Sequence, residues 1–231
     1  MAQTYSNAEL LVVADGDDVL RTVLDAFGVK DQKAATEARA DADSCELRSL
    51  DLLPATRGPS GAVRSTASKT VRSTLIHLAE SRNIGEKRNF GCSRAAGEVI
   101  CHWDDDDWSA PERLARQIEM LAESGKAVAG FRSMRFTDGE SWWKYEGPRD
   151  YALGTSLCYR REWQQAHPFP PVHVGEDNEF TTAAWNAGQL VSEDAGELMY
   201  ATIHPGNTSP RSIGSNWHFV PPWTAPRAVK A

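Results

Sequence analysis

Glu98-Val99-Ile100-Cys101-His102-Trp103-Asp104-Asp105-Asp106-Asp107-Trp108 is the stretch that decides the reading of this chain. An apolar run of strand character ends in four adjacent aspartates. Neighbouring carboxylates repel one another, so a fold that gathers them needs a compensating charge. A divalent cation is the commonest one, and hard oxygen ligands suit Mg²⁺, Mn²⁺ or Ca²⁺. A solvated acidic turn is the competing reading of any acidic run. The flanks favour a site. Ser109-Ala110-Pro111-Glu112 reads as a helix start, with Ser as N-cap, Pro in the first turn and Glu three residues after the Ser. Leu114, Ile118 and Leu121 then repeat at i, i+4 and i+7. The aspartates thus fall in a strand-to-helix crossover, and in open α/β sheets ligands bind outside the carboxyl ends of the strands.

Upstream, Glu9 to Val13 reads as a buried strand that runs into an acidic loop, Asp15-Gly16-Asp17-Asp18. Val19 to Phe27 has the pattern of a short helix. From about Lys30 to Lys69 large apolar residues are sparse. That segment is expected to be a surface insertion, with a helix over Gln32 to Ala42 and then a loop through Pro54, Gly58, Pro59 and Gly61. Ser73 to Leu78 reads as a strand and Gly85 to Ala95 as a helix.

Downstream, strands are expected at Ala127 to Phe131, Ser141 to Tyr145, Thr155 to Tyr159 and Leu198 to Ile203. Helices are expected at Arg161 to His167 and Phe180 to Asn186, and residues 205–231 read as a loop-like tail. The whole, 1–231, is expected to form a single α/β domain.

Bulk properties narrow the class. A net charge of −7 argues against a general nucleic-acid-binding surface, which would be basic. Cys45, Cys92, Cys101 and Cys158 are scattered without a C-x-x-C pair, and they read as reduced thiols rather than a disulfide framework or a zinc site. No run is long and apolar enough for a transmembrane segment, and no signal-peptide pattern opens the chain. A cytoplasmic location is expected, with any membrane contact peripheral. Trp142, Trp143 and Trp217 are candidates for sugar stacking, against the ordinary role of tryptophan in core packing.

The order of elements, and three blocks within it, resemble the family 2 glycosyltransferases of the GT-A fold. The blocks are Arg82-Asn83-Ile84-Gly85-Glu86-Lys87-Arg88-Asn89-Phe90-Gly91, then Ala96-Gly97-Glu98, then Asp104 to Asp107 with Pro111. They match that family's N-x-G, A-R-N-x-G, A-x-G-E and D-x-D-D pattern in order and spacing. The resemblance implies a Rossmann-like open twisted sheet with helices on both faces. It also implies transfer of a sugar from a nucleotide-sugar donor, UDP-linked by preference, to a hydroxyl acceptor with inversion. The acceptor class stays open among glycan, lipid, protein and modified nucleobase, and self-association stays open too.

By the same resemblance, Asp106 is the principal ligand of Mn²⁺ or Mg²⁺, with Asp104 and His204 assisting. Asp107 supports the turn and Asp105 is a spacer. Gly175-Glu176-Asp177 matches the family's second acidic site, so Asp177 would be the general base and Glu176 would orient the acceptor or the base. Helix N-terminal capping is the other role open to these two acids. Asp15, Asp17, Lys87, Arg88, Asp104 and Gly154 fall on the donor side. Ala14 stands where the family has the first acid of D-D-G-S. The family's opening strand has no counterpart, so a fold shortened at its N-terminus is expected. A degenerate, non-catalytic module of the same fold shares these features. A metal-dependent nucleotidyltransferase or phosphohydrolase shares the acidic cluster.

Overall fold

The computed structural model describes residues 8–15, 36–40, 45–52, 71–78, 80–207 and 214–223. The chain divides into two compact units, Met1–Gly97 and Glu98–Ala231. The helix expected at Val19 to Phe27 and the loop through Pro54 to Gly61 lie outside the described residues, as does Asp17.

In the first unit, β1 (Glu9–Asp15) runs parallel to β4 (Val71–Leu78), in register from Glu9 opposite Arg72 to Asp15 opposite Leu78. β2 (Thr36–Ala40) pairs antiparallel with β3 (Cys45–Leu52), and β3 pairs antiparallel with β4, giving the order β1-β4-β3-β2. This corrects the expected helix over Gln32 to Ala42. Thr36–Ala40 is extended, and β3 meets β4 along its whole length. Ladder pairing satisfies backbone groups that a helix would have satisfied locally, and tertiary pairing overrides helix propensity here.

α1 (Ile84–Arg94) begins near the expected place, because Asn83 and Glu86 form a reciprocal capping box. The Asn83 side chain accepts from Glu86 N at 2.9 Å, and Glu86 Oε2 accepts from Asn83 N at 3.1 Å. Phe90 packs with Ile76, Leu78 and Val13. A Cβ on Gly91 would lie 3.1 Å from the Val13 side chain, so the lack of one lets helix and strand approach.

The second unit is built on β7 (Val128–Thr137), which has neighbours along both edges. β8 (Trp142–Glu146) and β9 (Cys158–Arg160) pair antiparallel with it. β10 (Leu190–Asp194) and β11 (Met199–Thr202) pair parallel. β5 (Val99–Cys101) joins β9, β6 (Trp108–Ser109) joins β11, and β12 (Trp217–Phe219) joins β8. Phe131, Met134, Phe136, Leu153 and Met199 form the core with Met120 and Leu121 of α2 (Arg113–Ser124). α3 (Arg161–Ala166) follows β9, and α4 (Glu176–Asn186) precedes β10.

Three local expectations change in this unit. Ser109 is not the N-cap of α2. It pairs with Met199 in a short strand, and the helix starts four residues later with Glu112 at its cap. The tail read as loop contains β12, where Trp217 pairs opposite Tyr145 and packs against Phe136. Trp217 therefore serves packing, and Trp142 meets Tyr200 edge-on, with ring centroids 4.9 Å apart.

Candidate functional site

Asp15, the last residue of β1, is tied down within its own unit. Asp15 Oδ1 accepts from Lys87 Nζ at 2.6 Å, and Oδ2 accepts from Arg82 N and Ser81 Oγ, both at 3.0 Å. Burial alone would raise this carboxyl. The hydrogen bond from Lys87, with those from Arg82 and Ser81, instead holds it below the usual carboxylate value. Asp15 and Lys87, both expected on the donor side, are thus brought together as an ion pair. Arg88 follows on α1.

In the second unit, the segment after β5 carries the aspartates. One carboxylate oxygen each from Asp104, Asp106 and Asp107 lies within 4.8 Å of the others. Asp107 is the anchor of the turn. Its Oδ2 accepts from Thr155 Oγ1 at 2.6 Å and its Oδ1 from Thr202 N at 3.0 Å. Burial, with the charges of Asp104 and Asp106 adding, pushes the Asp107 carboxyl up to about 6, against the pull of those two hydrogen bonds.

Asp106 is half-exposed and meets the loop after β11. Gly206 N–H donates to His204 Nδ1 at 3.1 Å, which puts the ring proton on Nε2. Nε2 then donates to Asp106 Oδ2 at 2.7 Å, with Asn207 Nδ2 at 3.4 Å from the same oxygen. His204 in this arrangement is neutral and orients Asp106. The donor set, carboxylates with an imidazole beside them, fits a hard divalent cation. As a direct ligand through Nε2, His204 would first carry its ring proton on Nδ1 instead, giving up the hydrogen bond from Gly206 N.

The second acidic motif stands at the start of α4. Gly175 has φ of 91°, a left-handed conformation that suits glycine, and the chain turns there into the helix. Glu176 is buried and Asp177 is half-buried. Asp177 Oδ2 accepts from Gly154 N at 3.1 Å, and Oδ1 from Asn178 N at 2.9 Å. A Cβ on Gly154 would lie 2.6 Å from Asp177 Oδ2. Gly154 is therefore needed to admit the Asp177 carboxylate. The 3-10 turn Gly154–Ser156 links the two acidic motifs, since Gly154 touches Asp177 while Thr155 touches Asp107.

Beneath that turn lies a residue with no signal in the sequence beyond its helical position. Arg113 is fully buried. Its Nη2 donates to His102 O at 2.8 Å and to Thr155 O at 2.9 Å, its Nη1 to Ser109 Oγ, and its Nε to Gln117 Oε1. Gln117 Nε2 in turn donates to Ser156 O. Arg113 and Gln117 thus tie the backbone just before the aspartates to the 3-10 turn. Burial lowers the Arg113 guanidinium below its usual value, opposed by Cys101 and Cys158 and by the carboxylates of Asp104 and Asp107. His102 reinforces the same junction, with Nδ1 donating to Gly154 O at 2.8 Å and Nε2 2.9 Å from the Tyr159 hydroxyl.

The sequence profile of glycosyl transferase family 2 matches residues 58–175, half of the chain, and takes in α1, the aspartate turn and the 3-10 turn. The chain belongs to glycosyl transferase family 2. No curated protein matches it by sequence. Among solved structures, it is similar to S. aureus TarS 1–349 in complex with UDP-GlcNAc, with TM-score 0.59 and 18% identity over 92% of this chain and 55% of that one. It is likewise similar to TarS 1–349 in complex with UDP, with TM-score 0.56 and 18% identity over 88% of this chain and 54% of that one. The chain spans about half the length of these structures. The likeness is one of fold, and it bears out the GT-A type of mixed α/β architecture for this family member. No described helix is long and apolar enough to cross a membrane.

Proposed function

We propose that this chain transfers a sugar from a nucleotide-sugar donor, UDP-linked by preference, to a hydroxyl acceptor with inversion, using a divalent cation. The observation that carries this reading is the aspartate turn. Asp104, Asp106 and Asp107 lie within reach of one ion, in a chain whose family acts by glycosyl transfer. Asp106 and Asp104 would hold Mn²⁺ or Mg²⁺, with His204 at the rim as orienting group or ligand. A cation bound there would supply Lewis-acid neutralisation of a diphosphate leaving group.

The remaining chemistry falls to the chain's own side chains. Asp177 accepts a proton from the attacking hydroxyl as general base. Its two backbone hydrogen bonds, from Gly154 and Asn178, fix the carboxylate in direction while leaving each oxygen a further lone pair. Glu176 orients Asp177 or the acceptor. Gly154 lies beside the base on the donor side, and Asp15, Asp17, Lys87 and Arg88 contribute to the nucleotide side. Inversion follows from a single displacement with one base. The acceptor hydroxyl attacks the anomeric carbon, its proton passes to Asp177, and the nucleoside diphosphate leaves with the bonding pair.

Thermal unfolding with UDP, GDP and dTDP, each with and without Mn²⁺, tests the donor and the cation together. A ligand at a hundredfold excess over its Kd adds about 2.7 kcal/mol. For a chain of this length that is a rise on the order of 5–10 °C in Tm. A rise with UDP that requires Mn²⁺ or Mg²⁺ supports the reading, and no rise with any nucleoside diphosphate plus metal removes it. Product analysis of a sugar-nucleotide incubation then separates intact sugar transfer from the release of sugar phosphate that a phosphohydrolase would give.

A further inference from the structure

Cys101 and Cys158, which the sequence leaves scattered, are brought together at directly opposed positions of β5 and β9. Which kind of opposed pair they form can be read from the ladder. His102 N donates to Leu157 O and Arg161 N donates to Glu98 O, so the hydrogen-bonded pairs fall at residues 98, 100 and 102 of this edge. Cys101 and Cys158 therefore form a non-hydrogen-bonded pair, the kind in which facing Cα atoms come to about 4.5 Å and side chains are closest. That separation is inside the roughly 4.4–6.8 Å that a disulfide bridges. The two sulfurs lie 2.8 Å apart, with the Cys101 thiol directed at Cys158 Sγ. Both are free thiols. Cys158 is fully buried, whereas Cys101 is half-buried and so within reach of a small reagent. At Cys158 the charge of the buried Arg113 guanidinium favours the thiolate, against the burial that disfavours it.

We propose that Cys101 and Cys158 are a dithiol modification site that reacts with a low-molecular-weight disulfide and closes to a cross-strand disulfide. Cys101, the reachable thiol, attacks as thiolate on one sulfur of oxidised glutathione. The glutathione S–S bond breaks, one glutathione leaves as thiolate and takes up a proton, and Cys101 is left in a mixed disulfide. Cys158 then gives up its proton and attacks Cys101 Sγ, and the second glutathione departs as a thiol. The protein loses two hydrogens and two electrons, and one glutathione disulfide becomes two glutathione thiols. Burial raises the Cys158 thiol well above its usual value. The new bond would join the strand that feeds Asp104 to the strand that leaves the 3-10 turn, behind the junction held by Arg113. It depends on neither donor nor cation, so its outcome is separate from that of the proposed transfer activity.

The test uses the full chain, incubated with excess oxidised glutathione, quenched under denaturing conditions with an alkylating agent, and read by intact mass and peptide mapping. Expected is a monomer with two of its four cysteines protected from alkylation and a single linked peptide pair containing Cys101 and Cys158. The Cys158→Ser variant is expected to stop at the intermediate, heavier by one glutathione carried on Cys101. Alkylation of all four cysteines in the treated wild-type chain would overturn the proposal. So would a link that uses Cys45 or Cys92, or a glutathione adduct on wild-type Cys101 that persists without closing.

Discussion

Asp15 ends strand β1 and the Asp104–Asp107 turn follows β5, and their carboxylates are met in different ways. Asp15 is paired with a cation of its own unit, Lys87, and takes two further hydrogen bonds from Arg82 and Ser81. Asp106 and Asp107 are met by neutral donors: His204 and Asn207 at the first, Thr155 and Thr202 at the second. A strand end whose charge is balanced by a lysine can shape a wall or accept a hydrogen bond. A turn in which three carboxylates crowd together, two of them hydrogen-bonded by neutral donors, is where we propose that a cation from outside the chain binds. The raised Asp107 carboxyl records that crowding, together with the burial that dominates it.

The largest effect is expected at Asp177, whose replacement by Asn should lower transfer by ~10²–10⁴-fold if it is the base. The Tm rise with UDP and Mn²⁺ should survive. Near-normal turnover in this variant would remove the assignment. At the aspartate turn itself, Asp106→Asn should abolish the metal-dependent part of that rise. Asp15→Asn should leave the metal dependence intact, and equal loss in both variants would erase the contrast between the two regions.

Arg113→Met tests the support beneath the turn. The carbonyl oxygens of His102 and Thr155 would each lose a buried donor, a destabilisation of about 3 kcal/mol in denaturant unfolding. Arg113→Lys, which keeps the charge but not the fork, should recover part of the stability and less of the metal-dependent shift. Lys87→Met should cost about 1 kcal/mol at most, since its pair with Asp15 is only partly buried.

The smallest effect is a pH dependence at another carboxylate balanced by a lysine. Asp194 accepts from Lys144, Gly196 N and Ser133. Burial would raise its carboxyl, but these partners hold it below the usual value. A depressed folded pKa contributes stability that is present above the unfolded value of about 3.9 and lost as pH falls through the folded one. Tm measured across that acid range should fall less steeply in Lys144→Met than in the parent chain.

Signals carried by neighbouring residues were legible in the sequence. Asn83 and Glu86 announce α1, because a capping box is closed by residues three apart. The aspartate run and the Gly175-Glu176-Asp177 step announce acidic turns for the same reason. Ser109-Ala110-Pro111-Glu112 misled, since a good local helix start was overridden by pairing of Ser109 with Met199, ninety residues away. Thr36–Ala40 misled likewise, because pairing with the neighbouring strand β3 overrides its local helix pattern. β10 went unread because its polar residues, Ser192, Glu193 and Asp194, mask the strand pattern that pairing with β7 supplies.

The family, the α/β class and the places of the acidic motifs were legible from the residues alone, because each is written in short stretches with short-range physical meaning. Only the tertiary structure decided which acid anchors and which faces outward. It joined Asp107 to Thr155 and Thr202, gave Asp177 the space left by Gly154, set Arg113 under both, and faced Cys101 with Cys158. Those contacts span tens of residues. They arise from strand register and buried hydrogen-bond satisfaction, which a local pattern does not encode.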